Sequence, residues 1–194
     1  VMGVVADGLL RAKGEVAVWT LRDGKVAEQA VIGNTGSGWT LAQVGDFDGD
    51  GRGDLFWRKD DASSASIWML EGLAIKTTRG MADAGTGWTP IAAGRFDGES
   101  GDDLLWRDGA GNLAVWSAAD AAHATTLPRQ APAGWAFLAA LDIDRNGRDD
   151  LMWNNSQTHQ SGAWMIAESG EITDRSLPPV GDDWAVVSRA LVVR

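Results

Sequence analysis

The chain has no cysteine, no tyrosine and only two histidines in 194 residues. Without cysteine there is no disulfide framework, so the redox compartment is not legible from the sequence. No apolar run approaches the roughly eighteen residues of a membrane-spanning helix. Val1 to Leu10 lack the charged start and cleavage site of a signal peptide, so any such peptide is expected outside this chain. Basic residues are few: 17 Lys and Arg stand against 27 Asp and Glu, a net charge of −10. Nucleic acid selects basic surfaces, so it is not an expected partner. The scarcity of His, Cys and Tyr also argues against catalysis. His123 and His159 fall in variable turns, where a catalytic His would need partners within reach. Ser156 and Ser161 flank His159, but nothing supplies the rest of a triad. No glycine-rich loop follows a strand and opens a helix, so no phosphate cradle is expected.

Tryptophan and glycine are abundant, with 11 and 25 copies. The tryptophans fall into series. Trp19, Trp68, Trp116 and Trp164 are separated by steps of 49, 48 and 48. Trp39, Trp88, Trp135 and Trp184 are separated by 49, 47 and 49, and Trp57, Trp106 and Trp153 by 49 and 47. Leu10 stands where the third series lacks a member. Internal repetition at such a period marks stacked supersecondary units. Four repeats fill the chain as a single domain: 39–87, 88–134, 135–183, and one made of 1–38 with 184–194.

Each repeat has room for four short strands. In the second these are Trp39 to Val44, Asp54 to Arg58, Ser66 to Leu70 and Leu73 to Thr78, separated by Gly and Asp turns. Turn signals every eight to twelve residues predict an all-β fold. No segment keeps a helical apolar period for three turns; the exception is Ala118 to Ala124, which is Ala-rich but too short to be read as a helix. Four-stranded units at this period predict a β-propeller of four blades of about 48 residues. Strands apolar on both faces, such as Leu55-Phe56-Trp57, fit blades covered on both sides, and the tryptophans are read as blade packing. Joined head to tail, Trp184 lies 49 residues before Trp39, one full period. The ring is therefore expected to close by pairing Val186 to Val193 beside a strand at Gly8 to Arg11, which removes an open sheet edge.

One stretch is spaced for chemistry. Asp46-Phe47-Asp48-Gly49-Asp50-Gly51-Arg52-Gly53-Asp54 puts acids at alternate positions, with a glycine before the fourth ligand. Calcium takes six to eight oxygens, which a short loop can supply from alternate residues. The predicted ligands are Asp46, Asp48, Asp50, Asp54 and the main-chain oxygen of Arg52. Gly51 permits a sharp turn at positive φ. Trp57 stands at the twelfth position, where an EF-hand has a bidentate Glu, so this is a different kind of loop. The layout returns at 142 to 154. A degraded copy at 95 to 107 has Arg95 at the first position and Ser100 in place of the glycine. That loop is expected to be metal-free, with the Arg95 guanidinium among Asp97, Glu99 or Asp103 in place of the ion.

The pattern Asp-Phe-Asp-Gly-Asp-Gly-x-x-Asp-Leu-x-Trp-Arg at 46 to 58, followed by Ile-Trp-Met-Leu-x-Gly at 67 to 72, resembles the FG-GAP and VCBS repeats. These occur in integrin α-subunit propellers and in many bacterial secreted proteins, and the bacterial form is the more similar. The resemblance covers the whole chain and implies a calcium-supported propeller outside the cell. It carries a second ligand set onto Asp142, Asp144, Asn146, the Arg148 carbonyl and Asp150, so two calcium sites are expected. The first loop, with four carboxylates against three, is expected to bind more tightly. The function this implies is a non-catalytic extracellular recognition or adhesion module for a glycan or protein. A structural subunit that self-assembles and a propeller-fold enzyme acting on polysaccharide are the alternatives.

Overall fold

Short apolar runs punctuated by Gly and Asp have one economical use, the antiparallel hairpin, and this chain is a succession of them. The computed structural model describes residues 3–5, 14–23, 25–131, 133–155 and 157–178. Fifteen strands form four antiparallel sheets among these residues. The first sheet is β1 (Gly3–Val5), β2 (Glu15–Arg22) and β3 (Lys25–Asn34). The second is β4 (Trp39–Gly45), β5 (Asp54–Lys59), β6 (Ala65–Glu71) and β7 (Ala74–Met81). The third is β8 (Trp88–Gly94), β9 (Asp103–Asp108), β10 (Asn112–Trp116) and β11 (Ala124–Gln130). The fourth is β12 (Ala136–Leu141), β13 (Asp150–Asn155), β14 (Gln160–Ile166) and β15 (Ile172–Leu177). Each is a meander with neighbours in chain order. The fold is all-β, and its four sheets match the blades of a four-bladed propeller.

The repeats share their register. Leu55 lies opposite Trp68, Leu104 opposite Trp116, and Leu151 opposite Trp164. The first hairpin of each complete sheet slips at one place, between Leu41 and Gln43, Pro90 and Ala92, and Phe137 and Ala139. Such a bulge bends the strand and increases its twist. The Ala-rich stretch forms two single 3-10 turns, Ser117–Ala119 and Ala121–His123.

The described residues divide into two compact units, one up to Thr86 and one from Gly87. In the first, Val16 and Val18 of β2 pack with Leu55, Trp57, Trp68 and Leu70 of the next sheet. Gly33 allows that approach, since a Cβ there would lie 3.1 Å from Trp68 and Ile75. In the second, Leu105, Leu113 and Val115 pack with Leu151, Trp153, Trp164 and Ile166. The predicted blade-packing tryptophans are the core: Trp57, Trp106 and Trp153 are at most 1% exposed. Each meets the Trp of the adjacent strand, with ring centroids 5.2, 4.7 and 5.1 Å apart.

The first sheet departs from the expected alignment. The strand beside β2 is Gly3–Val5, with Val5 opposite Trp19. The first repeat has neither the acidic loop nor the third Trp that mark this strand in the other sheets. The expected strand at Gly8 to Arg11, and its pairing with Val186 to Val193, lie outside the described residues.

Candidate metal centre

The acidic loops join the first and second strands of their sheets, and their own side chains fold them. In the first, Asp48 Oδ1 accepts from Asp50 N–H at 3.2 Å, Asp46 Oδ2 from Gly51 N–H at 2.9 Å, and Asp50 Oδ1 from Arg52 N–H at 2.9 Å. Gly51 takes the expected positive φ, +83°. These bonds turn the side chains inward, and one oxygen each of Asp46, Asp48 and Asp50 lies within 4.8 Å of the others. The 142–150 loop repeats the plan. Asp142 accepts from Asn146 N–H at 3.0 Å and Gly147 N–H at 3.0 Å, and Gly147 has φ +88°. Its converging oxygens come from Asp142, Asp144 and Asp150. Asn146 Nδ2 donates to Ile166 O at 2.9 Å, and Asn146 Oδ1 accepts from Arg148 N–H at 2.8 Å. All converging atoms are carboxylate oxygens, the donor type a hard cation such as calcium takes.

The ninth residue of each loop has a second task. Asp54 accepts from Phe47 N–H at 2.9 Å with one oxygen and from Leu70 N–H at 2.8 Å with the other. Asp150 does the same with Ile143 and Ile166, and Asp103 with Phe96, Asp97 and Ala118. Each carboxylate ties its loop to the end of the third strand or, for Asp103, to the turn just after it, and none is more than 1% exposed. Burial is the main cause that raises their pKa: Asp54 and Asp103 from 3.8 to about 6, with Asp150 raised in the same direction. The backbone donors oppose the shift without cancelling it. Asp54 stands outside the first triad, whereas Asp150 belongs to the second. The structure thus gathers three carboxylates in each loop, where sequence counting gave four in the first.

Two cations enter the loops that spacing did not reveal. Lys76 of β7 places Nζ 2.7 Å from Asp48 Oδ2 and 3.8 Å from Asp50 Oδ2. Its pKa is raised, chiefly by the hydrogen bond to Asp48. The degraded loop also receives a guanidinium, from Arg148 and not from Arg95. Arg148 Nη1 donates to Phe96 O at 2.7 Å, and a Cβ on Gly98 would meet its guanidinium at 3.3 Å. Arg95 makes no ion pair with Asp97, Glu99 or Asp103 among the described residues. Its backbone is held instead, because Arg95 N–H donates to Asp149 Oδ2 at 3.0 Å and Asp149 N–H to Arg95 O at 2.7 Å. Ser100 takes no positive φ in the place of Gly51 and Gly147.

No family model matches the chain, and no curated protein does. Among solved structures it is similar to one described as "Structure of Dos1 propeller". The two share 11% sequence identity with a TM-score of 0.45, over 83% of this chain and 42% of that one. This chain therefore spans less than half the length of that protein chain.

No helix among the described residues is long and apolar enough to cross a membrane. The His123 side chain is 70% exposed, with Nδ1 3.6 Å from Asp120 Oδ2. His159 sits in a turn with φ +54°.

Proposed function

We propose that this chain is a non-catalytic, calcium-stabilised recognition module of the FG-GAP and VCBS kind, working outside the cell on a glycan or protein ligand. The observation that carries the calcium reading is the recurrence of a carboxylate triad at one turn of two different sheets, with oxygens within 4.8 Å in each. Three carboxylates held together repel one another, and a bound divalent ion removes that repulsion. Asp46, Asp48 and Asp50 would hold one ion, with Asp54 and the Arg52 carbonyl nearby in sequence. Asp142, Asp144 and Asp150 would hold the other, with Asn146 and the Arg148 carbonyl. Calcium sites of extracellular modules bind at about 10⁻⁴ to 10⁻³ M, and that is the range expected for an extracellular location here.

A binding role fits the rest of the chain better than chemistry does. The acids of the loops are engaged by loop N–H groups, and the exposed His123 has only a surface aspartate beside it. Isothermal titration with calcium tests the metal reading. Two ions per chain are expected, one lost in Asp48→Ala and the other in Asp144→Ala. A wild-type chain that takes up no calcium would contradict it.

A further inference from the structure

Arg58 and Arg107 hold the same place in successive sheets. Each follows a buried tryptophan, Trp57 or Trp106, and each lies opposite a threonine of the preceding strand, Thr40 or Thr89. Their surroundings differ. Arg58 grips Asp83 with two prongs, Nε to Oδ2 at 2.7 Å and Nη2 to Oδ1 at 2.8 Å, and Nη2 also reaches Gly85 O at 2.7 Å. Asp83 is 1% exposed, so this is an internal pair.

The third sheet lacks the acid. Met81 lies opposite Ala65, three residues before Trp68, and Gln130 lies opposite Asn112, four before Trp116. That register puts Ala131 where Asp83 stands, and no acid occurs from Thr125 to Trp135. Arg107 is left with Nη1 donating to Trp135 O at 3.4 Å, the long limit of such a bond, and with its guanidinium 5.8 Å from the Trp153 ring. It has no carboxylate partner among the described residues. A guanidinium is permanently ionised and carries five donors in a fork that matches a carboxylate.

That fork lines a cleft of about 480 Å³, together with Gly109, Gly111, Gln130, Ala131 and Gly134. Small residues line it, and two of its walls meet directly at Gly111 and Ala131. Gly111 has φ +90°, and a Cβ there would press on Ala131 O at 2.8 Å. Gln130 Nε2 donates to Asn112 Oδ1 at 2.7 Å, so its own carbonyl oxygen remains to accept from a ligand hydroxyl. A guanidinium fork beside a hydroxyl acceptor suits a molecule that carries both a carboxylate and a hydroxyl.

We propose that the Arg107 cleft binds a carboxylate-bearing sugar, a uronic acid. This names a ligand class for the recognition role proposed above and rests on that reading, but it does not require the metal. The test titrates monomeric galacturonate into the calcium-loaded chain by NMR, with galactose and glutarate as comparison ligands. Saturable galacturonate binding is expected, with shifts around Arg107 and Gly134, no galactose binding and weaker glutarate binding. Arg107→Ala should weaken it by at least about tenfold, and Arg107→Lys, which keeps the charge but loses the fork, should fall between. Ala131→Asp restores the internal acid and should abolish binding without lowering the melting temperature. Calcium uptake is scored separately, so a chain that binds calcium but not galacturonate refutes only this inference. Galacturonate binding that survives Arg107→Ala, or glutarate or galactose binding of equal strength, would also overturn it.

Discussion

At the scale of single residues, the three buried aspartates at the ends of the loops are the most demanding choices in the chain. Asp103 accepts three backbone N–H bonds and is 1% exposed. Its carboxyl moves from 3.8 to about 6 on folding. The folded state therefore keeps a proton that the unfolded chain has released. The stability tied to Asp103 is complete below about pH 4 and declines as pH rises through about 6, by on the order of 3 kcal/mol. Asp103→Asn removes this titration but turns an amide donor toward backbone donors, so it destabilises most at low pH. In urea denaturation, its deficit against wild type should be largest near pH 4 and shrink toward pH 7. A deficit that does not change with pH would contradict this reading. Lys76 makes a different prediction, because its ammonium competes for Asp48 and Asp50. Lys76→Ala should raise calcium affinity at the first loop, as read by titration in an Asp144→Ala background, and leave the 142–150 loop unchanged, as read in an Asp48→Ala background.

At the scale of elements, the connection from β7 to β8 is anchored by Arg58, which grips Asp83 and Gly85 O. Removing one partner leaves an uncompensated charge, so Asp83→Ala should cost about 3 kcal/mol or more. Arg107→Ala breaks no such pair and should cost less than about 1 kcal/mol. Thermal melts of the two variants separate these outcomes, and equal losses would mean that the two arginines are not in different environments. The first two strands of the second and third sheets were legible because each begins at a repeated Trp or Asp: β4 and β8 start at Trp39 and Trp88, and β5 and β9 at Asp54 and Asp103. Partners brought together by the meander were not. Asp83 lies 25 residues from Arg58, and Leu70 lies 16 from Asp54. Lys76 and Arg148 reach the loops by long side chains whose direction no spacing fixes. The first sheet offers no such Trp–Asp landmark between its first two strands.

For the whole molecule, the repeat is what would make the proposed calcium matter. Each sheet is a short meander, and in the second, third and fourth the loop between the first two strands is tied by one buried aspartate to the third strand or the turn just after it. A metal that orders the loop therefore supports the sheet. Binding only the folded state adds RT ln(1 + [L]/Kd) for each site, about 1.4 kcal/mol at a free calcium of ten times Kd. Two sites would together contribute about 3 kcal/mol, a substantial part of the ordinary margin of about 5 to 15 kcal/mol for a folded domain. The most direct measurement is a thermal melt of wild type and of the Asp48→Ala plus Asp144→Ala double variant, each in millimolar calcium and in chelator. Wild type should melt higher in calcium than in chelator, and the double variant should melt near the chelated wild type in both. Wild type melting at one temperature in both conditions would contradict the calcium role and leave the loops as acidic turns.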